Sequence, residues 1–277
     1  MRGTRGNGRT HAWIVIAAVW LFMAAPMVIV VINSFNASAV SEFPPVQWSL
    51  EWYRVALADE SFRDGFLLSV RIAFFAATLA TVSGLAAAYA FDRFPFPGSA
   101  TLHTLINTPQ SMPKVALGLA GLIGYLTVGS WFGSLKTVFG GGAALTVLHA
   151  AMTLPFVVGV LISALESADR RLESAARDLG AGPVKAFVRV VLPAVVPGFL
   201  ISFGFSFMLS FDELESSLFM SSLSGNTLPV AMFTFLETHL DPTLAALSTL
   251  LLAGTGLVAA VGFAAFRVLQ RRTRGVR

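Results

Sequence analysis

The chain has 277 residues, of which 55% are hydrophobic and only 12% charged. Soluble domains carry about 25% charged residues, so this composition, with a mean hydropathy of +0.74, excludes an ordinary soluble domain. Cysteine is absent, which removes disulfides and thiolate metal sites from consideration. The net charge of +4 and pI near 10 would suggest nucleic acid in a soluble protein, but here the arginines cluster at the borders of apolar stretches and read as topology signals.

A hydrocarbon core about 30 Å thick needs roughly 20 apolar residues per helix. Six stretches meet that need, near Ala12–Asn33, Phe66–Phe91, Leu102–Val128, Ala143–Leu165, Gly198–Met220 and Leu244–Leu269. They predict an all-α membrane protein in which residues 1–277 form a single transmembrane domain with no linker or second soluble domain. Arg2, Arg5 and Arg9 precede the first stretch, and Ala37-Ser-Ala39 resembles a cleavage site. The apolar run is longer than the 7–15 residues of a signal h-region, which predicts a retained anchor.

Between the first two stretches, Glu42 and the Phe43-Pro-Pro45 turn lead into Trp48-Ser-Leu-Glu-Trp-Tyr53, which reads as an interfacial helix with an aromatic belt. The third stretch contains Pro109 and Pro113 followed by Lys114. Two prolines four apart remove backbone hydrogen bonds and predict a kink or break, which in a bundle serves either as a gate or binding site or simply as a packing kink. In the fourth stretch His149 reads as a packed polar residue, and His11, His103 and His239 fall near interfaces or in a loop.

Residues 166–197, between the fourth and fifth stretches, read as an amphipathic helix–turn–helix. Leu172, Ala175, Ala176 and Leu179 recur at i, i+3, i+4 and i+7, which puts them on one face. Gly180 stands where a helix C-cap glycine is wanted, and Pro183 suits the first turn of a second helix, which repeats the pattern with Val184, Phe187, Val188 and Val191.

The fifth stretch carries Asp212, Glu213 and Glu215. A charge within a span costs about 2.5–3.5 kcal/mol on insertion scales, so these acids should be paired, hydrated or functional. On a continuous helix Asp212 and Glu215 would share a face, with Glu213 about 100° away. The acids could line a pathway for a cationic solute, pair with Lys114 or Arg71, or reach the outer interface. The basic residues fix an orientation. Fourteen of the 19, namely Arg2, Arg5, Arg9, Arg93, Arg170, Arg171, Arg177, Lys185, Arg189, Arg267, Arg271, Arg272, Arg274 and Arg277, fall on the side of the helix–turn–helix, against Arg54, Arg63 and Lys136 opposite. Both termini and residues 166–197 are therefore expected in the cytoplasm.

Ala175, Ala176, Gly180, Val190, Leu192 and Pro193 resemble the cytoplasmic loop of permease subunits of bacterial binding-protein-dependent ABC importers, which reads E-A-A, three residues, G, nine residues, I, one residue, L-P. The chain departs from it at the glutamate, which is Ser174, with Glu173 one residue earlier. Leu209-Ser-Phe-Asp-Glu-Leu214, Ser217-Leu-Phe219, Thr227-Leu-Pro-Val230 and Leu240–Thr249 look like the spermidine/putrescine permease subfamily, as do Trp52-Tyr53 and His149 before Leu154-Pro-Phe156. The resemblance implies an ABC importer permease fold whose coupling helix docks in a cleft of an ATPase subunit. The coupling-loop candidates are Glu173, Ser174, Ala175, Ala176, Gly180, Leu192 and Pro193; the pathway candidates are Asp212, Glu213, Glu215 and Lys114. It further implies an inner-membrane importer that moves a polyamine or another small organic solute, such as an opine or an amino-acid derivative. The partners implied are a second homologous permease, two ATPase subunits that bind ATP and Mg, and an extracytoplasmic binding protein.

No G-x-x-x-x-G-K-[ST] occurs, so Gly140-Gly-Gly142 is no P-loop and the chain is not itself an ATPase. No histidine pair has metal-ligand spacing such as H-E-x-x-H, so no cofactor is expected in this chain, and nothing calls for nucleic acid. The alternative is an ion-coupled secondary transporter, which buried acids would allow but which needs no exposed coupling loop.

Overall fold

The computed structural model describes residues 5–39, 44–45, 47–94, 96–131 and 140–274, with side chains described between residues 12 and 257. Arg2, Glu42, Phe43, Lys136 and Arg277 lie outside the described residues, as do the side chains of Arg5, Arg9, His11, Arg267, Arg271, Arg272 and Arg274.

In chain order the helices are α1 (Arg5–Asn33), α2 (Glu51–Ala58), α3 (Glu60–Arg93), α4 (Ser99–Ser111), α5 (Lys114–Trp131) and α6 (Gly141–Glu166). They continue with α7 (Arg170–Asp178), α8 (Pro183–Ala186), a π-helical turn at Phe187–Val191, α9 (Leu192–Phe211), α10 (Glu215–Ser224), α11 (Leu228–Thr238) and α12 (Thr243–Arg274). The described residues form no strand beyond one isolated antiparallel bridge between Asn36 and Trp48. The chain divides into two compact units, Met1–Glu60 with Thr234–Arg277, and Ser61–Phe233.

Among the described residues, five helices are long and apolar enough to cross a membrane: Ala12–Asn33, α3, α5, α6 and the run Pro183–Phe211. The sixth expected stretch, Leu244–Leu269, lies on α12, whose side chains are described to residue 257. Trp20 and Phe22 of α1 are 71% and 81% exposed, and a helix apolar all round suits lipid rather than water.

In the first unit α1 and α2 pack against α12. The expected interfacial helix starts at Glu51 rather than Trp48, because Trp48 is held in the bridge to Asn36. Trp52 donates its indole N–H to the Asn36 carbonyl at 2.8 Å, and the Tyr53 hydroxyl lies 2.6 Å from the Ser34 hydroxyl. These two aromatics therefore tie α2 to the end of α1, while Trp48 remains exposed.

The second unit is built on small residues. Ala76, Ala80 and Ala88 of α3 are fully buried in a cluster with Leu85, Val157, Leu161, Leu165, Val191 and Val195. Without a hydrophobic drive between helices in lipid, such small side chains permit the close approach that van der Waals packing needs.

Two expected spans are interrupted. Leu102–Val128 is two helices, α4 and α5, separated at Met112-Pro113. Pro113 has no N–H, and its ring pushes the preceding Met112 into extended backbone (φ −96°, ψ 143°), whereas Pro109 stays inside α4. The expected Gly198–Met220 helix is shifted: it runs from Pro183 without a gap and ends at Phe211, and α10 is a new helix after Asp212-Glu213-Leu214. Asp212 and Glu215 therefore do not share the face of one helix.

Candidate functional site

The first candidate is the helix–turn–helix. Asp169 opens α7 by accepting the Arg171 backbone N–H at 2.9 Å. Its end is a Schellman motif: Gly180 adopts φ +86°, the Ala181 N–H reaches the Ala176 carbonyl at 3.0 Å and the Gly180 N–H reaches the Arg177 carbonyl at 2.9 Å. Pro183 then starts α8 at the position where its missing N–H costs nothing.

The apolar stripe read from the sequence faces away from the chain. Leu172 is 60% exposed and Leu179 89%, Ala175 is exposed, Ala176 half-buried and Ser174 exposed, and across the turn Val184 is 75% exposed. Exposed apolar residues arranged on one face mark a contact surface. Beyond α8, in the π-helical turn, the expected face splits: Val188 is exposed, but Phe187 packs its ring 4.9 Å from Tyr89 and Val191 is buried. The cause is the π turn, in which the Leu192 N–H bonds the Phe187 carbonyl, immediately before Pro193, which has no N–H to continue an α-helical ladder.

On the adjoining face of α7, about 100° from Leu172, Glu173 is buried. Its carboxylate accepts the Tyr89 hydroxyl at 2.9 Å, the Arg93 Nε at 2.9 Å and an Arg177 guanidinium N–H at 3.0 Å. Arg93 also pairs with Asp92, which in turn holds Arg170. Burial alone would raise the Glu173 pKa, but the hydrogen bonds from Tyr89 and Arg93 and the charges of Arg93 and Arg177 outweigh it and hold the carboxyl below its ordinary value.

The second candidate is a small cleft between α5, α6 and the α9–α10 break, lined by Lys114, His149, Met152, Thr153, Leu209, Ser210 and Glu213. Glu213 is buried, while Asp212 and Glu215 are exposed. The Lys114 ammonium lies 2.8 Å from Glu213 Oε2. Glu213 Oε1 accepts the backbone N–H of Ser216 at 3.2 Å and its hydroxyl at 3.3 Å, so the break itself orients the carboxylate. His149 is fully buried, with Nδ1 2.8 Å from the Ser210 hydroxyl and Nε2 3.1 Å from that of Ser217. The Ser206 hydroxyl donates to Thr153 Oγ1 at 2.7 Å, extending the seam. Gly118 lets α5 come this close: a Cβ there would stand 2.7 Å from Ser216 Cα. Arg71 is exposed on α3, and among the described residues no group of three or more His, Asp or Glu could hold a metal ion.

A profile of the family described as binding-protein-dependent transport system inner membrane component matches residues 80–275. The chain belongs to this family. The permease is 33% identical over 93% of its length to the putrescine transport system permease protein PotI of Escherichia coli (strain K12), covering 90% of that protein. It is 30% identical over 84% of its length to the spermidine/putrescine transport system permease protein PotC of Haemophilus influenzae, covering 88% of it. Its fold matches a solved bacterial ABC transporter involved in import of the acidic polysaccharide alginate, with a TM-score of 0.64 over 95% of this chain and 97% of that one, at 13% identity. The protein is thus a multi-pass inner-membrane transport component, and both candidate sites fall inside the family match.

Sequence reading of the permease overlooked Asp92, Tyr89 and Arg93, which the fold brings to Glu173, and the serine seam. A signal for the seam exists: Ser202, Ser206 and Ser210 recur every four residues, as do His149 and Thr153, giving two polar stripes on apolar helices. Tyr89, Asp92 and Arg93 carry no comparable pattern, since their partner is 80 residues away.

Proposed function

We propose that the chain is the permease subunit of an ATP-driven importer that moves a polyamine such as putrescine or spermidine into the cytoplasm. The observation that carries this reading is the 33% identity to PotI over 93% of the chain. The family profile runs across both compact units, which supports reading residues 1–277 as one permease domain. It would pair with a second homologous permease, two ATPase subunits holding ATP and Mg, and an extracytoplasmic binding protein, with both termini cytoplasmic.

In this reading α7 is the coupling helix. Its exposed Leu172 and Leu179, with Val184 beyond the turn, enter a groove of the ATPase, and burial of each leucine would contribute about 1.5–3 kcal/mol. Glu213, with Asp212, Glu215 and Lys114 near it in sequence or space, lines the substrate pathway. A buried carboxylate suits a substrate that carries ammonium groups.

The test is reconstitution of the permease with its partner subunits in proteoliposomes. Loaded binding protein should stimulate ATP hydrolysis, and radiolabelled putrescine should accumulate only with ATP. Accumulation driven by an ion gradient without ATP would overturn the importer reading; ATP-dependent activity with no polyamine uptake would overturn the substrate.

A further inference from the structure

We infer that Lys114 is a tethered stand-in for the substrate's own ammonium group, occupying Glu213 in the empty pathway and yielding it to a primary alkylammonium during transport. This rests on the polyamine reading above and adds the residue-level exchange. Three observations on the Lys114–Glu213 pair carry it.

The pair is asymmetric. The Glu213 side chain is 5% exposed, while that of Lys114 is 51% exposed. One partner is a fixed socket and the other reaches it from an open side of the cleft.

The socket holds itself. Glu213 Oε1 is committed to the Ser216 N–H and hydroxyl, and Ser217 bonds the Glu213 carbonyl at 2.8 Å. Oε2 is left for Lys114. Both His149 ring nitrogens are engaged by serine hydroxyls, so that ring is committed within the seam. Losing the lysine would leave the carboxylate oriented and empty of its cation, which is what an incoming ammonium needs.

The lysine is placed to leave. Lys114 is the first residue of α5, directly after the Met112-Pro113 interruption, so its ammonium sits at the end of a helix where the unsatisfied N–H groups already present positive potential. Glu213 is the contact that holds it there, and a competing ammonium of the same chemistry and hydrogen-bonding capacity can take its place on the carboxylate while Lys114 swings toward the open side. An ammonium point charge is interchangeable in this way; a guanidinium fork is not.

The chain has only three lysines, Lys114, Lys136 and Lys185, which makes the exchange directly readable. The full complex in proteoliposomes would be treated briefly with an amine-acylating reagent, and modification of Lys114 quantified by peptide mass spectrometry with Lys185 as the internal control. Because putrescine is itself an amine that consumes the reagent, labelling is read as the Lys114-to-Lys185 ratio, which saturating putrescine during ATP turnover should raise at least threefold over turnover with 1,4-butanediol. Glu213→Gln should show the high labelling without putrescine and slow putrescine uptake at least tenfold, while Lys114→Arg should slow uptake with Glu213 intact. Wild-type putrescine uptake with Lys114 labelling unmoved overturns the exchange alone, as does normal uptake by Glu213→Gln. Absence of wild-type putrescine uptake overturns the polyamine reading, and labelling that responds to neither putrescine nor Glu213→Gln overturns the exchange under that outcome too.

Discussion

Arg93, the last residue of α3, meets Glu173 of α7 at 2.9 Å although 80 positions of sequence separate them. With Tyr89 on the same carboxylate and Asp92 holding Arg170, the helix that carries the exposed leucines is fastened to the end of a membrane-spanning helix by buried charge. Removing one partner of a buried pair leaves the other uncompensated, so the fastening is costly to break.

Glu173→Ala should therefore lower stability by about 3 kcal/mol, by analogy with other broken buried pairs. It would leave the Tyr89 hydroxyl and the Arg93 Nε without their shared acceptor, although Arg93 keeps Asp92. Thermal unfolding of the detergent-purified complex checks this, together with binding-protein-stimulated ATP hydrolysis, which should fall. An unchanged midpoint with full stimulation would mean that Glu173 is dispensable.

The pH dependence follows from the sign of the shift. The folded carboxyl titrates below its ordinary value of 4.5, so its contribution is complete above about that pH and is lost as pH falls through the lower folded value. Stability attributable to Glu173 should be flat from pH 6 to 8 and decline only below about pH 4.5. A wild-type minus Glu173→Gln difference in unfolding midpoint that varied between pH 6 and 8 would contradict the assignment.

Leu179→Asp separates docking from folding. Leu179 is 89% exposed, so the substitution should shift stability by less than about 0.5 kcal/mol. In the assembled complex the same aspartate would be buried without a partner, and co-purification with the ATPase subunit should be lost. Gly180→Val acts on the backbone instead: nothing lies within 4 Å of a Cβ there, but φ +86° strains a β-branched residue by about 1–3 kcal/mol. Retained assembly by Leu179→Asp would move the docking surface elsewhere.

Ser174→Glu installs the glutamate that the loop's resemblance to permease motifs implies at this position. Ser174 is exposed, and its hydroxyl makes only a 3.3 Å contact to the Arg170 carbonyl within its own helix. Assembly and stimulated ATP hydrolysis should match wild type within about twofold. Loss of assembly would mean that the partner's groove is fitted to serine.

Gly118→Leu tests the close approach that brings Lys114 to Glu213. Backbone atoms of Ser216 at 2.7–2.9 Å from a Cβ cannot move aside as a side chain would, so α5 must shift, at a cost of about 1–3 kcal/mol. Putrescine uptake should fall more than ATPase stimulation. Equal uptake by variant and wild type would show that the α5–α10 spacing does not matter to transport.

The apolar stretches, the apolar stripe of α7 and the helix stop at Gly180 were legible because each depends on residues within one or two turns. Composition declares a span, a 3.6-residue recurrence declares a face, and a glycine after an amphipathic run declares a left-handed cap. The interruptions were half legible: Pro113 signalled the α4–α5 break, but nothing in Phe211-Asp-Glu-Leu214 announces that the helix ends there. The acids were legible as expensive, yet which one turns inward was not. Glu213 is selected by the Ser216 N–H freed at the break and by Lys114 from another helix, and both are facts of the assembled chain. Glu173 was noted one place before the motif's expected glutamate, but its burial depends on Tyr89 and Arg93 arriving from α3.

The π turn at Phe187–Val191 inserts the equivalent of one extra residue into a helix that advances about 100° per residue. Everything after Pro193 is thereby rotated by roughly that angle relative to what precedes Phe187, so one unbroken helix carries two phases. Its first turn can show Val184 and Val188 outward while Val195, Ser202, Ser206 and Ser210 turn into the bundle. A straight α-helix would force those two faces into a single stripe, so that the valines and the serines could not face opposite ways.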